Sequence, residues 1–193
     1  MNKVLMFEKE FSYIKDPKLI IDAKYLVDGL PDYFFSVAAA STGKYHPKYA
    51  QGEGGLVRHT KVAVRIAYEL FQNPLIGDKY TDRDKDLAII SLIIHDGLKL
   101  GKEQSKYTKT EHPLLSAEYV KECTNDLSME EEDIEKIVKM VSSHMGIWNK
   151  DYNGNEVLPI PHGKLENFVH MCDYLASKKF IQVEFDEEMN IVD

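Results

Sequence analysis

The chain has 193 residues, of which 44% are hydrophobic and 29% charged, with a formal net charge of −8. These figures fit one domain with a single core and exclude a disordered chain. No apolar run reaches the roughly 18 residues that a bilayer span needs, and the acidic balance argues against a general nucleic-acid-binding surface. The N-terminus lacks a secretory pattern, and Cys123 and Cys172 have no CxxC spacing. Reduced thiols and a cytoplasmic setting are the resulting expectation. Lysines at 44, 48, 99, 102, 106 and 109 run against the overall charge. They suit a locally positive pocket for a phosphorylated small molecule or a strand end, and read equally well as a solvated surface cluster.

In chain order, residues 1–16 read as an irregular or partly helical lead-in, with Asp16-Pro17 as a helix start. Leu19, Ile20, Ala23, Leu26 and Val27 recur at helical spacing, and Gly29 reads as the C-cap. After Pro31, the segment 32–40 with Tyr33, Phe34, Phe35 and Val37 is expected to pack as a helix. Residues 41–55 form a polar connection whose Gly52, Gly54 and Gly55 permit unusual backbone conformations and close approach to a ligand. A flexible surface connection is the competing reading.

Residues 56–71 predict an amphipathic helix carrying His59 near its start, stopped by Asn73-Pro74 and Gly77. Thr81 and Asp84 predict a capping box for a helix that delivers His95 and Asp96 at its C-terminal end. A lysine-rich loop follows, and Glu111-His112-Pro113 precedes a helix over about 114–123. Ser128 and Glu131 read as another capping box, opening a helix over 130–143 that delivers His144. A second long loop, 145–162, contains Trp148. The last helix, about 163–179, carries His170 and Asp173, and the remaining residues suit a short strand or hairpin with a tail. Strand-like alternation is nearly absent, so an all-α domain is predicted.

The apolar run 88–94 ends abruptly in His95-Asp96, with Lys99 three residues on. Burying such groups unpaired costs about 2–7 kcal/mol for a neutral polar group and more for an ion, and a metal would satisfy both. His59, His95 with Asp96, His112, His144 and Asp173 each stand at or near the end of a largely apolar element. Taken singly, each has an ordinary explanation: a surface histidine, a helix-start residue, a histidine on a helix C-terminal dipole, a half-exposed carboxylate. Together they suit one or two divalent ions of the Mn, Fe, Co, Ni or Zn type. His59, His95, Asp96 and Asp173 would hold one; His112 and His144, with Asp96 bridging, a second.

The order His59, His95-Asp96, Asp173 resembles the signature of the HD superfamily of metal-dependent phosphohydrolases. His112 and His144 are similar to the extra ligands of its two-metal members. Tyr45-His46-Pro47-Lys48-Tyr49, then Gly54-Gly55-Leu56-Val57-Arg58-His59-Thr60, resembles the approach to the first metal histidine in HD-domain 3′→5′ exoribonucleases. His95-Asp96-Gly97-Leu98-Lys99 matches their His-Asp-x-x-Lys, and Cys172-Asp173-Tyr174-Leu175-Ala176-Ser177 is similar to their last aspartate segment. In Ser142-Ser143-His144-Met145-Gly146, Ser143 stands where those nucleases often have a first histidine.

The resemblance implies a single HD domain over 1–193, a helical bundle with its metal-site core at about 40–180. It implies a metal-dependent phosphohydrolase or phosphodiesterase. On that reading Asp96 orients the attacking water and Lys99 neutralises phosphoryl charge, with a solvated loop lysine as the alternative for Lys99. Lys44, His46, Lys48 and Arg58 are weaker candidates for substrate binding. Trp148 and Tyr152 are candidates for stacking on a base, with a hydrophobic lid contact as the alternative for both. His162 and His170 are candidates for outer positions around the ligands. No N-terminal stretch of these 193 residues is expected to form the oligonucleotide-binding barrel of those nucleases, and the expected substrate is therefore a nucleotide or short single-stranded end rather than extended duplex. The rival expectation is a non-catalytic HD module that binds a nucleotide or metal for regulation.

Overall fold

The central element is α5 (Asp82–Ile94), in which every residue from Asp86 to Ile94 is buried. A helix apolar on all sides belongs inside a domain, and α5 packs against α2 (Pro17–Asp28), α3 (Gly55–Gln72), α7 (Glu131–Ser143) and α8 (Lys164–Ala176). Around them lie α1 (Glu8–Phe11), α4 (Pro74–Gly77) and α6 (His112–Glu122), the last against α7. This computed structural model describes residues 2–40 and 46–192. Among the described residues the protein is all-helical, with eight α-helices, four short 3-10 turns and only two isolated β-bridges. None of these helices is long and apolar enough to cross a membrane.

Local chemistry explains where most helices begin. The Asp16 carboxylate accepts from the Lys18 amide at 2.9 Å with Pro17 at the first helical position. Thr81 and Asp84 form the expected reciprocal box, each side chain accepting from the other's amide at 3.1 Å. Gly29 closes α2, but in the right-handed region (φ −78°). What requires glycine there is space: a Cβ would lie 2.3 Å from the Tyr119 hydroxyl, which donates to the Leu26 carbonyl at 2.7 Å. The stop at Asn73-Pro74 is a fresh capped turn, with Asn73 accepting from the Leu75 amide.

Two expectations are corrected and a third is met in part. The segment 32–40 is not a helix; only Asp32–Phe35 forms a 3-10 turn. The carbonyls that would continue it are used elsewhere, since Ser36 accepts from the Gly54 amide and Val37 from the Leu56 amide. They satisfy donors at the start of α3 that have no partner within that helix. Ser128 and Glu131 form no capping box, and Glu130 is an N-cap without a side-chain bond. The amide and hydroxyl of Ser128 instead donate to Asp22, tying the start of α7 to α2. Beyond Ala176 the expected hairpin exists only in its shortest form: Phe185 and Ile191 make one isolated antiparallel bridge, flanked by the Val192 amide donating to the Glu184 carbonyl and the Asp186 amide to the Asn190 carbonyl, both at 3.0 Å.

The glycine-rich approach to α3 is built for close packing of backbone on backbone. Gly54 is left-handed (φ +67°), and a Cβ on Gly55 would sit 2.4 Å from the Ala50 carbonyl oxygen and 3.1 Å from the Ala38 Cα. Neither neighbour is a flexible side-chain tip. Gly55→Ala is therefore expected to lose about 2–3 kcal/mol of stability. Gly52→Ala meets nothing within 4 Å and bears only the strain of its φ of +68°, about 1–2 kcal/mol. Urea denaturation of both variants checks the order.

Candidate functional site

Five segments converge at one end of α5. His59 lies in the second turn of α3, and His95 caps the C-terminus of α5 with Asp96 and Lys99 in the turn beyond. His112 is the first residue of α6, His144 the C-cap of α7, and Asp173 lies in α8. The four histidines and Asp96 are at most 2% exposed. Tyr33 buttresses the turn, its hydroxyl donating to the Gly101 carbonyl at 2.7 Å and accepting from the Leu100 amide at 3.3 Å. The Tyr49 hydroxyl donates to the Ala176 carbonyl at 2.7 Å, pinning the end of α8 just beyond Asp173.

Asp96 is the hub. Its Oδ1 lies 2.9 Å from His112 Nε2 and 3.6 Å from His144 Nε2. Its Oδ2 lies 3.4 Å from His95 Nε2 and 3.9 Å from His59 Nε2, and receives the Lys99 ammonium. Asp173 Oδ1 lies 2.9 Å from His59 Nε2 and 3.4 Å from His95 Nε2. His112 and His144 bring their Nε2 atoms within 3.3 Å of each other.

Second interactions fix which nitrogen faces inward. Nδ1 of His95, His112 and His144 sits 2.7 Å from the carbonyls of Leu92, Lys109 and Val141, each three residues back. A carbonyl only accepts, so Nδ1 carries a proton in each ring and Nε2 is the nitrogen turned to the cluster.

Two of the inward atoms, His95 Nε2 and Asp96 Oδ1, are buried and find no aligned hydrogen bond among the described residues. Buried polar groups are almost always satisfied. A divalent ion fits the donor set of neutral imidazole and carboxylate. His59, His95 and Asp173 bring ligand atoms within 4.8 Å of one another, as do His95, Asp96 and His144. The first group lacks Asp96 and the second has His95 in place of His112, so they overlap the sets expected from the sequence without reproducing them; Asp96 turns Oδ1 toward His112 and His144 and Oδ2 toward His95 and His59.

The charges of the cluster hold each other. Burial works against ionised Asp96, but Lys99 and His95 outweigh it and keep the carboxyl well below its ordinary value. Asp173 is likewise held down, by His59 and His95 against burial. Burial also opposes a charged His95, yet Asp96 and Asp173 push it up to about 10. His112 is shifted down, by burial first.

The sign for stability follows. The depressed carboxylates contribute above their ordinary 3.8 and lose that contribution as pH falls. Raised His95 contributes fully below its ordinary 6.5 and loses its share as pH rises towards about 10. With chelator present, the urea midpoint is expected to peak between about pH 4 and 6.5 and decline on both sides. A midpoint flat from pH 6 to 10 would contradict a protonated His95.

Above the cluster lies a cavity of about 570 Å³. Of the candidates, His46, Lys99 and Trp148 line it. His46 stands edge-on to His59, and burial first, then His59 and Lys99, hold it down to about 3, so it faces the cavity uncharged. Lys48 and Arg58 do not line the cavity. The Arg58 guanidinium instead clamps its own loop, donating to the carbonyls of Tyr49, Gln51 and Glu53. Lys44 lies outside the described residues.

His170 donates from Nδ1 to the His144 carbonyl at 2.6 Å and lines the cavity, whereas His162 is exposed. Ser143 turns away, its hydroxyl donating to the Lys139 carbonyl. Sequence reasoning missed Tyr174, Ser177 and Lys178 as lining residues. Their signal was present: positions 170, 173, 174, 177 and 178 share one helical face.

Comparison with family models, curated proteins and solved structures gives no match for the chain.

Proposed function

We propose that this chain is a metal-dependent phosphohydrolase, a single-domain helical bundle of the HD type acting on nucleotides or short single-stranded nucleic-acid ends. The observation that carries the reading is the meeting of His59, His95, His112 and His144 around two carboxylates, Asp96 and Asp173. These residues are widely separated in sequence, and their order is the one that resembles the HD superfamily. His59, His95, Asp96 and Asp173 would hold one divalent ion, and His112, His144 and Asp96 a second. When bound, such ions supply Lewis acidity and lower the pKa of water to about 7.

The chain's own residues supply the rest. Asp96 is ionised and fixed among its partners, so it can accept a hydrogen bond from the attacking water and orient it. Lys99 lines the cavity beside Asp96 and can neutralise charge building on the phosphoryl oxygens. His46 contributes shape and a neutral hydrogen-bonding edge. Cys123 and Cys172 are free and buried, which supports a reducing compartment.

The test begins with elemental analysis of the purified protein for Mn, Fe, Co, Ni and Zn. Incubation with Mn²⁺ and a panel of nucleotides, cyclic dinucleotides and labelled oligonucleotides follows. Release of phosphate or mononucleotide supports the reading. Bound metal with no turnover on any member would favour a non-catalytic HD module.

A further inference from the structure

The cavity joins two unlike surfaces. Asp96, Lys99, His112, His144 and Asp173 make one ionic part of its lining. Trp148 and Tyr174 make an aromatic part, with ring centroids 5.4 Å apart and planes within 17°. The Lys178 ammonium lies 3.4 Å from the Tyr174 ring centroid and 5.6 Å from that of Trp148. Although stacked on each other, the two rings stay 50% and 38% exposed.

The chain fixes this aromatic pair to the ionic cluster. Tyr174 directly follows Asp173, and Trp148 stands four residues after His144. Between them Gly146 adopts φ +60°, and a Cβ there would lie 2.2 Å from the His170 ring, which itself bonds the His144 carbonyl. The turn is thus packed against α8 and sets where the indole sits. A ligand that satisfies both surfaces carries an anion at one end and a flat ring at the other. The volume of about 570 Å³ is in the range of small-molecule sites, about 300–1,000 Å³.

We propose that Trp148 and Tyr174 are a stacking platform for the base of one unpaired nucleotide whose phosphate lies at Lys99 and the histidine cluster. This deepens the proposed phosphohydrolase reading and rests on it. Stacking uses the face of the base, so the platform accepts all four bases and favours purines over pyrimidines. Lys178 adds positive charge beside the rings, where the sugar-phosphate of a longer strand would leave the site.

Trp148 is the chain's only tryptophan, so intrinsic fluorescence reports the platform directly, with no need for turnover. Titration of the protein as purified with AMP is expected to quench it saturably, and ribose 5-phosphate to leave it unchanged. By calorimetry, Trp148→Ala is expected to weaken AMP binding about 5- to 150-fold, the worth of one stacked base. Trp148→Phe keeps most of the affinity. Tyr152→Ala, in the same loop but 95% exposed and off the cavity, matches the wild type.

No quenching, equal quenching by ribose 5-phosphate, or unchanged AMP affinity in Trp148→Ala would overturn the platform. The two readings fail separately. Quenching by AMP without hydrolysis of any substrate keeps the platform and removes the hydrolase. Hydrolysis in which Trp148→Ala keeps full AMP affinity does the reverse.

Discussion

Asp96→Asn is expected to lower turnover by about 10²- to 10³-fold, the range for loss of one pre-organised electrostatic group. The amide keeps the shape of the side chain and removes its charge. That charge faces His112 and His144 through Oδ1 and His95, His59 and Lys99 through Oδ2. Bound metal, counted per chain by elemental analysis, should fall with activity, because the carboxylate belongs to both proposed ligand groups. Stability should fall too. Lys99 and His95 are buried, and leaving such charges without their partner costs about 3–5 kcal/mol. Loss of the proton from His95 relieves part of that cost.

A second variant keeps the chemistry apart from the folding. Asp96→Asn/Lys99→Met removes the stranded ammonium and is expected to recover much of the lost stability while activity stays absent. Full activity and full metal content in Asp96→Asn would place the reaction on other residues. Stability recovered together with activity in the double variant would reduce Asp96 to a structural partner of Lys99.

The sequence made the site's ingredients legible through contrast. A run such as 87–94 has no polar face, so it belongs at the centre, and the His95-Asp96 pair at its end needed partners. Thr81, Asp84 and Asp16 were legible because their partners lie two or three residues away. Ser128 offered the same local pattern but is claimed by Asp22, 106 residues distant. Arg58 looked like a phosphate ligand, yet its donors satisfy carbonyls that the glycine turns leave open. The aromatic trio at 33–35 marked burial without fixing a helix, because hydrogen bonds to the start of α3 decide the backbone there. The tail gave least warning. Its Asn190 accepts from Lys61 at 3.0 Å, although nothing near either residue hints at the other.

Lys61 itself supports the second large expected effect. It is fully buried in α3, 3.7 Å from Glu10 Oε2 and 5.8 Å from the Phe7 ring centroid. Burial pushes the Glu10 carboxyl up and the Lys61 ammonium down, and their mutual attraction only partly offsets it. The sign is the reverse of that for a stabilising pair. A carboxyl raised in the fold destabilises once pH rises above its ordinary 4.5, and a lysine lowered in the fold destabilises below its ordinary 10.5. At neutral pH both penalties apply.

Breaking the pair singly is still worse, because it strands one charge in the core. Lys61→Met or Glu10→Met alone is expected to lose about 3–5 kcal/mol, whereas Glu10→Met/Lys61→Met is expected to be neutral or more stable than the wild type by about 1–4 kcal/mol. Wild-type stability should also gain, relative to the double variant, as pH falls from 7 towards 4.5 and Glu10 takes up its proton. Urea denaturation of the four proteins at two pH values measures the coupling. Single losses that simply add in the double variant would mean the two charges act independently.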